Sequence, residues 1–170
     1  MDHLIAAARA AVASSNWYPA LTLALTFPDI CGRIEDPIKG YTARAVGWFN
    51  ANMAPRYTRE LAGNRVRTFL SGEDCYALRC AFLHEGSMDI SAQRVQQALD
   101  AFVFITPPPN RNVRHMNQAD ARLQLQVDMF VEEMCAGVES WLTKIKTNSG
   151  MMARMQNLGR IYDPARGLPI

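Results

Sequence analysis

The 170-residue chain lacks three features that would assign it to a class at once: a long apolar run, a large excess of one charge and many cysteines. No segment is long and apolar enough to predict a bilayer span. With 18 Lys and Arg against 16 Asp and Glu, the net charge of +2 is too small to indicate nucleic-acid binding by bulk electrostatics. The four scattered cysteines form no disulfide framework, so we expect reduced core residues.

Several motifs that identify enzyme classes are also missing. The chain has no phosphate-cradling glycine loop, no pair of CxxC motifs and no Gly-x-Ser-x-Gly turn. Nucleotide hydrolysis, a zinc ribbon and a serine hydrolase are therefore poorly supported. Cys80 and His84 share a helix face with Cys75 upstream, but no second ligand pair follows, which disfavours a zinc site. We expect neither a metal ion nor a cofactor.

What is present is the composition of an ordinary globular protein, with 49% hydrophobic and 20% charged residues. Without internal repeats or low-complexity linkers, we expect one domain over residues 1–150 and a tail over 151–170, which straps across the domain or contacts a partner. The start, MDHLIAAARAAVASS, has Asp2 where a signal peptide needs a basic region, and Arg9 interrupts its apolar run. We predict a surface-packed helix there, and a cytoplasmic protein with no membrane association.

Helical periodicity dominates the first third of the chain. Apolar residues recur at helical spacing over residues 17–31 and again over 40–53, where Pro55 ends the pattern. Pro28 predicts a kink or a restart, which places Asp29 in a first turn where the helix dipole favours an acid. The next stretch, PRYTRELAGNRVRTFL, is predicted to form a short helix, or a helix and a loop, with a basic face.

The stretch SGEDCYALRCAFLHEG has the clearest helix boundaries in the sequence. Ser71 is the predicted N-cap, and Asp74 follows three residues later as in a capping box. Gly86 is the predicted C-terminal stop. We therefore predict a helix over residues 72–85.

The second half of the chain mixes helix and strand signals. Residues 91–101 are compatible with a helix, and the run AFVFITPPP predicts a strand that stops at Pro107. The segment NVRHMN could pair with this strand as a small antiparallel hairpin lying against the helices. Residues 119–146 follow one helical stripe and predict a long helix ended by Asn148 and Gly150. The sum predicts a mainly α protein built as a helical bundle.

One strongly polar pair, Arg79 and His84, interrupts the apolar part of the predicted helix over 72–85. Five residues turn an α-helix about 140° beyond one full turn, so the two side chains do not share an ideal face, although both could flank a groove. The helix dipole favours a protonated imidazole at this end. A guanidinium suits phosphate binding. Phosphodiester cleavage without a metal needs an imidazole that moves a proton beside a guanidinium that stabilises charge on the phosphate.

The same two residues also fit a purely structural role. Arg79 could form an ion pair with Asp74, Asp29 or Glu35. His84 could hydrogen-bond the free carbonyl groups at the helix end. This alternative predicts that both side chains are buried and satisfied locally, and the sequence leaves it open.

LRCAFLHEG, at the end of a capped helix, resembles the R-x4-H motif of the HEPN superfamily. FPDICGRIED upstream and RHMNQADARLQLQVDMF downstream are similar to HEPN-like proteins of bacterial genomes and prophages, and the resemblance covers most of residues 15–147. It implies a bundle of four or five helices and a homodimer whose R-x4-H helices face each other. In active members this cleft cuts RNA without a metal ion, which implies Arg79 and His84 as the catalytic pair. Active members often carry Asn, Asp or His directly after the arginine, where this chain has Cys80, a weaker hydrogen-bonding group.

Further residues could support the site. Asp29 and Glu35 could reach the pair and orient His84, or be ordinary first-turn and loop acids. Tyr76, one turn before Cys80, could contact RNA or pack in the core. Seven basic residues could line an RNA path. The alternative is that they form an ordinary solvated basic surface. Those residues are Arg56, Arg59, Arg65, Arg67, Arg111, Arg114 and His115.

The leading hypothesis is a dimeric HEPN-like endoribonuclease that needs no metal. A setting in bacterial defence or toxin–antitoxin biology follows from the resemblance alone, and it makes RNA and a regulatory protein the expected partners. The alternative is a non-catalytic HEPN-like module that binds RNA, a nucleotide or a protein through the same cleft. A third hypothesis is a structural dimer in which Arg79 is a buried ion-pair partner.

Overall fold

The computed structural model describes residues 1–110 and 112–166. This part of the chain is mainly α-helical, as predicted, and also contains two small β-sheets. Within it, no helix is long and apolar enough to cross a membrane. The α-helices are α1 (Asp2–Ala13), α2 (Trp17–Glu35), α3 (Tyr41–Asn52), α4 (Gly72–Cys80), α5 (Val127–Ile145) and α6 (Ser149–Gln156).

The core lies where α2 packs against α1, α3 and α5. Trp48 of α3 meets Trp141 of α5 edge to face, with ring centroids 6.0 Å apart. Both rings are fully buried. Aromatic pairs of this geometry contribute about 0.5–1.5 kcal/mol beyond their buried area. This contact therefore joins α3 to α5 at the centre of the protein.

α2 is one continuous helix, so the helix does not restart at Pro28, which was one of the two predicted outcomes. Pro28 lies buried inside the helix, and the backbone stays helical past it. At Gly32, a Cβ atom would lie 2.5 Å from the carbonyl oxygen of Arg44 in α3. Glycine permits this close approach of α2 and α3, and the packing supports α2 beyond its proline. Asp29 therefore lies within α2 and not in a first turn.

The stretch before α4 forms a 3₁₀ turn and a β-hairpin in place of the predicted short helix. The turn spans Ala54–Tyr57, and strands β1 (Thr58–Leu61) and β2 (Arg65–Thr68) pair antiparallel. Between them, Gly63 and Asn64 have positive φ angles of 79° and 57°. Glycine and asparagine tolerate this left-handed backbone better than other residues, so the Gly-Asn step favours a hairpin turn.

The second sheet is three-stranded and differs from the predicted antiparallel hairpin. Its strands are β3 (Ala101–Ile105), β4 (Asn117–Ala119) and β5 (Arg122–Gln126), in the order β3–β5–β4. β3 pairs with β5 in parallel, and β4 pairs with β5 antiparallel. The strand predicted at AFVFI is thus present, but NVRHMN is not its partner.

Two predicted helical stretches beside this sheet are also wrong. Residues 91–100 form turns and bends, and α5 begins at Val127, not at residue 119. In β5, Leu123 and Leu125 are buried, two residues apart, which is the period of a strand. A short apolar run of this kind does not distinguish helix from strand by periodicity alone.

α5 ends at Ile145, and Asn148 begins the next helix as its N-cap. The Asn148 side chain accepts a hydrogen bond from a backbone N–H in the first turn of α6. The predicted boundary between domain and tail, at residue 150, falls inside α6. Arg154 of α6 donates from Nε to the carbonyl oxygen of Ile34 at 2.6 Å. This bond attaches the start of the predicted tail to the end of α2.

Candidate functional site

α4 holds Arg79 at the edge of the core. The hydroxyl of Ser71 caps the helix, because it accepts a hydrogen bond from the N–H of Asp74 at 3.1 Å, as predicted. One face of α4 is buried, and it includes Cys75, Ala77 and Leu78. The Arg79 side chain, 24% exposed, therefore lies at the boundary between core and solvent.

Asp74 is not the partner of Arg79, because its carboxylate is used elsewhere. Asp74 is 1% exposed and accepts hydrogen bonds from the backbone N–H groups of Gln97 at 2.7 Å and Ala98 at 3.1 Å. It also accepts one from the hydroxyl of Ser71 at 3.0 Å. Asp74 thus ties the loop before β3 to the beginning of α4.

The helix widens directly after α4, and this brings Arg79 and His84 together. Ala81–Glu85 form a π turn, which ends at Gly86 in the left-handed conformation with φ of 67°. The N–H of Gly86 donates back to the carbonyl of Ala81, five residues earlier. Arg79 Nη1 lies 3.0 Å from His84 Nε2. The stop at Gly86 is confirmed, and the two side chains meet across a turn that is not ideal α-helix.

This contact determines the hydrogen-bonding role of His84. A guanidinium has only N–H donors, so Nε2 of His84 is the acceptor. Because His84 is exposed, its ring is open to solvent, unlike in the structural alternative.

Asp29 of α2 forms the ion pair with Arg79. Its Oδ2 accepts a hydrogen bond from Arg79 Nε at 2.8 Å, and the Asp29 side chain is 21% exposed. Burial opposes the charge on Arg79, but Asp29 and the neighbouring Cys80 outweigh it, so the pKa of Arg79 is raised. Asp29, Arg79 and His84 thus form one chain of contacts in which the carboxylate holds the guanidinium and the guanidinium meets the imidazole.

Two other candidates, Cys80 and Tyr76, lie beside Arg79. Tyr76 is half-buried, with its ring centroid 6.0 Å from the Arg79 guanidinium carbon. Cys80 is also half-buried. The other cysteines, Cys31, Cys75 and Cys135, are buried and free, and burial raises the pKa of each thiol. Cys80 is therefore the cysteine with the most contact with solvent and with the site.

Glu35 does not join the site. It is exposed at the end of α2, and no hydrogen bond links it to Arg79 or His84 in the described ranges. Partial burial raises its pKa, while the charges of Lys144 and Lys39 act in the opposite direction. Of the two acids proposed to support the pair, the fold brings only Asp29 into contact with it.

The basic residues proposed to bind RNA are spread over separate elements. Arg65 and Arg67 are exposed on β2, and Arg114 is exposed in the loop before β4. Arg111 lies outside the described residues. The side chain of His115 is 2% exposed, and its Nδ1 accepts a hydrogen bond from Gln126 N while Nε2 lies 3.2 Å from Glu133. His115 is thus a buried structural residue and not part of a surface path.

A pocket of about 440 Å³ adjoins Asp29 and lies between α2, α3 and the end of α6. Its lining includes three arginines, Arg33, Arg44 and Arg154, which the sequence analysis did not single out. They are far apart along the chain, and only the close packing at Gly32 and the folding back of α6 bring them together. No sequence motif could have identified this group.

Among the described residues, no group of three or more His, Cys, Asp or Glu side chains is arranged to hold a metal ion. Comparison with known proteins adds no assignment: no family model, no curated protein and no solved structure matches the chain. The interpretation of the site therefore rests on the residues described above and on their geometry.

Proposed function

We propose that the protein is a metal-independent endoribonuclease that uses Arg79 and His84. The observation that carries this proposal is the 3.0 Å contact between Arg79 Nη1 and His84 Nε2 at a solvent-accessible helix end. The contact places a permanent cation and a proton-transfer group within reach of one phosphodiester. Both the positions and the residue types suit cleavage that relies on proton transfer and charge stabilisation.

The proposed reaction begins with attack of the ribose 2′-hydroxyl on the adjacent phosphorus. His84 Nε2, the acceptor in its contact with Arg79, removes the hydroxyl proton as the new P–O2′ bond forms. The P–O5′ bond breaks, and the leaving oxygen takes up a proton, giving a 2′,3′-cyclic phosphate and a 5′-hydroxyl. Arg79 stabilises the negative charge that develops on the phosphate oxygens.

Asp29 is a positioning residue in this proposal. Its ion pair with Arg79 Nε fixes the guanidinium while Nη1 points to His84. A guanidinium has five N–H donors, so donors remain for a phosphate after these two contacts. When RNA binds, the phosphate would replace His84 as the partner of Nη1, which frees Nε2 to accept the hydroxyl proton.

The resemblance to the HEPN superfamily adds a homodimer to the proposal. Two copies would face each other so that two Arg79–His84 pairs share one cleft, in a helical bundle of the HEPN type. The exposure of His84 is compatible with such a cleft. A role in bacterial defence, or as a toxin restrained by a partner protein, is the biological setting that the resemblance suggests.

An RNA cleavage assay in EDTA tests the proposal. Total cellular RNA is incubated with wild-type protein, His84→Ala, Arg79→Ala and a control, Arg122→Gln, which removes an exposed arginine from β5. Each site variant is expected to lower the cleavage rate by at least about a hundredfold, and the control should leave it unchanged. Circular dichroism and light scattering first establish that fold and oligomeric state are the same. Absence of cleavage by the wild type contradicts the proposal. Cleavage by both site variants at the wild-type rate contradicts it as well.

A non-catalytic binding module is the second candidate, and Cys80 is the observation that favours it. The residue after the arginine offers a thiol where active HEPN members commonly offer a stronger hydrogen-bonding group. In this case the wild type would bind RNA without cutting it. Arg79→Ala would weaken RNA binding because it removes a phosphate contact, and His84→Ala would leave the affinity nearly unchanged.

A further inference from the structure

The pocket between α2, α3 and α6 carries an uncompensated positive charge. Arg33, Arg44 and Arg154 line it, and none of them forms a salt bridge within residues 1–110 and 112–166. Asp29 is the acid in the lining, and it is already paired with Arg79. Three guanidinium groups without free carboxylates beside them repel one another. This repulsion costs free energy unless an anion shares the site.

Arg44 is buried at this pocket without a full set of hydrogen-bond partners, which is independent of the charge excess. The residue is only 8% exposed, yet its buried Nε has no hydrogen-bond partner in the described part of the chain. The guanidinium lies over the Tyr41 ring, whose centroid is 4.2 Å from the guanidinium carbon. A buried N–H group left without an acceptor costs free energy, so the fold holds Arg44 at this pocket at a cost that an anion beside its guanidinium would offset.

The other two arginines are held in place by backbone carbonyl groups. Arg33 Nη1 donates to the carbonyl of Pro37 at 2.6 Å, and Arg154 Nε donates to the carbonyl of Ile34 at 2.6 Å. These bonds use one donor of each guanidinium and leave its charge unneutralised. The two groups are thus positioned in advance and lose little freedom when an anion binds.

We propose that this pocket binds the phosphate group of a small organic phosphate. Three guanidinium groups suit the dianionic charge and the several acceptor oxygens of a phosphate monoester better than a single carboxylate. The apolar part of the lining, with Ile30 and Leu158, gives a surface for the organic portion of the ligand. A volume of about 440 Å³ is sufficient for a ligand the size of a nucleoside monophosphate.

The phosphate could belong to a free small molecule or to an RNA end, and the two sources share the same chemistry. The pocket lining does not include Arg79 or His84, so the proposal does not depend on ribonuclease activity. Binding can therefore be measured in the complete chain whether or not the chain cleaves RNA.

Isothermal titration at low salt tests the proposal with five probes: inorganic phosphate, AMP, adenosine, a short RNA with a 5′-phosphate and the same RNA without it. The variants are Arg44→Gln and Arg154→Gln, with Arg122→Gln as the matched control. We expect AMP or the 5′-phosphorylated RNA to bind, adenosine to bind at least about tenfold more weakly, and each pocket variant to lower the affinity at least about tenfold. AMP binding identifies a free phosphate as a source, and binding of the 5′-phosphorylated RNA alone identifies the RNA end.

Three results would overturn the proposal: no binding of any phosphorylated probe, equal binding of adenosine and AMP, or affinity that is the same in both pocket variants and the wild type. If Arg44→Gln fails to fold, Arg33→Gln replaces it, because Arg33 is exposed and its loss does not open the core. His84→Ala should bind AMP as the wild type does, which separates this site from the proposed catalytic pair.

Discussion

Asp29 and Arg79 are fifty residues apart in the sequence and form an ion pair of 2.8 Å between α2 and α4. Each side chain is less than one quarter exposed, so solvent screens the pair less than it would at an open surface. This ion pair joins the helix that carries the candidate catalytic residues to the central helix of the protein. Asp29 also lines the arginine-lined pocket, whereas Arg79 does not.

Loss of the Asp29 charge should destabilise the protein moderately. In Asp29→Asn the guanidinium of Arg79 stays partly buried without its carboxylate, and we expect the free energy of unfolding to fall by about 1–2 kcal/mol. Urea denaturation measures this change. The exposed Asp120→Asn is the control and should change stability by less than about 0.5 kcal/mol. In the double variant with Arg79→Gln the losses should not add, and full additivity would argue against a direct interaction.

Removal of the Asp74 carboxylate should have a larger effect. Asp74→Ala leaves two backbone N–H groups of the loop before β3 and the hydroxyl of Ser71 without an acceptor. We expect a loss of about 2–4 kcal/mol in unfolding free energy, with Asp100→Ala, an exposed acid near the same loop, as the control. The rate of amide hydrogen exchange at Gln97 and Ala98 should rise in Asp74→Ala. Unchanged protection at these two amides would show that the loop does not depend on Asp74.

Two glycines on facing helices should respond to alanine in opposite directions. At Gly32 the added Cβ would lie 2.5 Å from the carbonyl oxygen of Arg44, so the two helix backbones must separate. This overpacking is expected to cost about 1–3 kcal/mol and to exceed the gain in helix propensity. At Gly47 of α3 no atom lies within 4 Å of the added Cβ, and the same change should stabilise by up to about 1 kcal/mol. Thermal denaturation of both variants checks the sign, and a stabilised Gly32→Ala would contradict the close packing of α2 and α3.

The contact between α1 and α5 should weaken in acid. Arg9 hydrogen-bonds both Glu132 and Glu139, and its bond to Glu139 lowers the pKa of that carboxyl. A carboxyl whose pKa is lower in the folded protein contributes stability above its unfolded pKa, near 4.3, and the contribution is lost as pH falls through the folded pKa. Because these side chains are 39–56% exposed, we expect only about 0.5–1 kcal/mol. The difference in stability between wild type and Arg9→Gln, measured from pH 7 to pH 3, should shrink toward zero at the acid end and also in high salt. A difference that is constant over this range would exclude an ionic origin.

The sequence predicts the helices whose signals are local and fails where tertiary packing decides. Ser71 and Gly86 mark both ends of one helix correctly, because capping and left-handed backbone are properties of a few adjacent residues. Pro28 does not end α2, since its local cost is offset by packing that involves Gly32 and α3. The run RLQLQ before α5 was ambiguous, and its strand character depends on pairing with β3, more than fifteen residues earlier.

In the candidate site, too, local signals could be predicted from the sequence and tertiary contacts could not. Arg79 and His84 could be selected from the sequence because an apolar segment makes polar residues conspicuous. Their contact could not be predicted, because it depends on a π turn that no residue in AFLHE announces. Asp29 was one of three acids open to Arg79, and only the packing of α2 against α4 selects it. The arginine-lined pocket was beyond the sequence altogether, since its members come from three helices that meet only in the fold.

The π turn also explains why the number of residues between Arg79 and His84 matters. A π turn is equivalent to an α-helix with one inserted residue, and the insertion here lies between the arginine and the histidine. Removing one residue from this segment would restore both the four-residue spacing and the regular helix, and the two side chains would again be neighbours. If the helix became regular with the spacing unchanged, the imidazole would turn away from the guanidinium by about 100°. The same would follow if one residue were deleted and the π turn stayed. The contact between Arg79 and His84 therefore depends on sequence spacing and backbone geometry together, and an insertion or deletion between these residues preserves it only when the helix geometry changes as well.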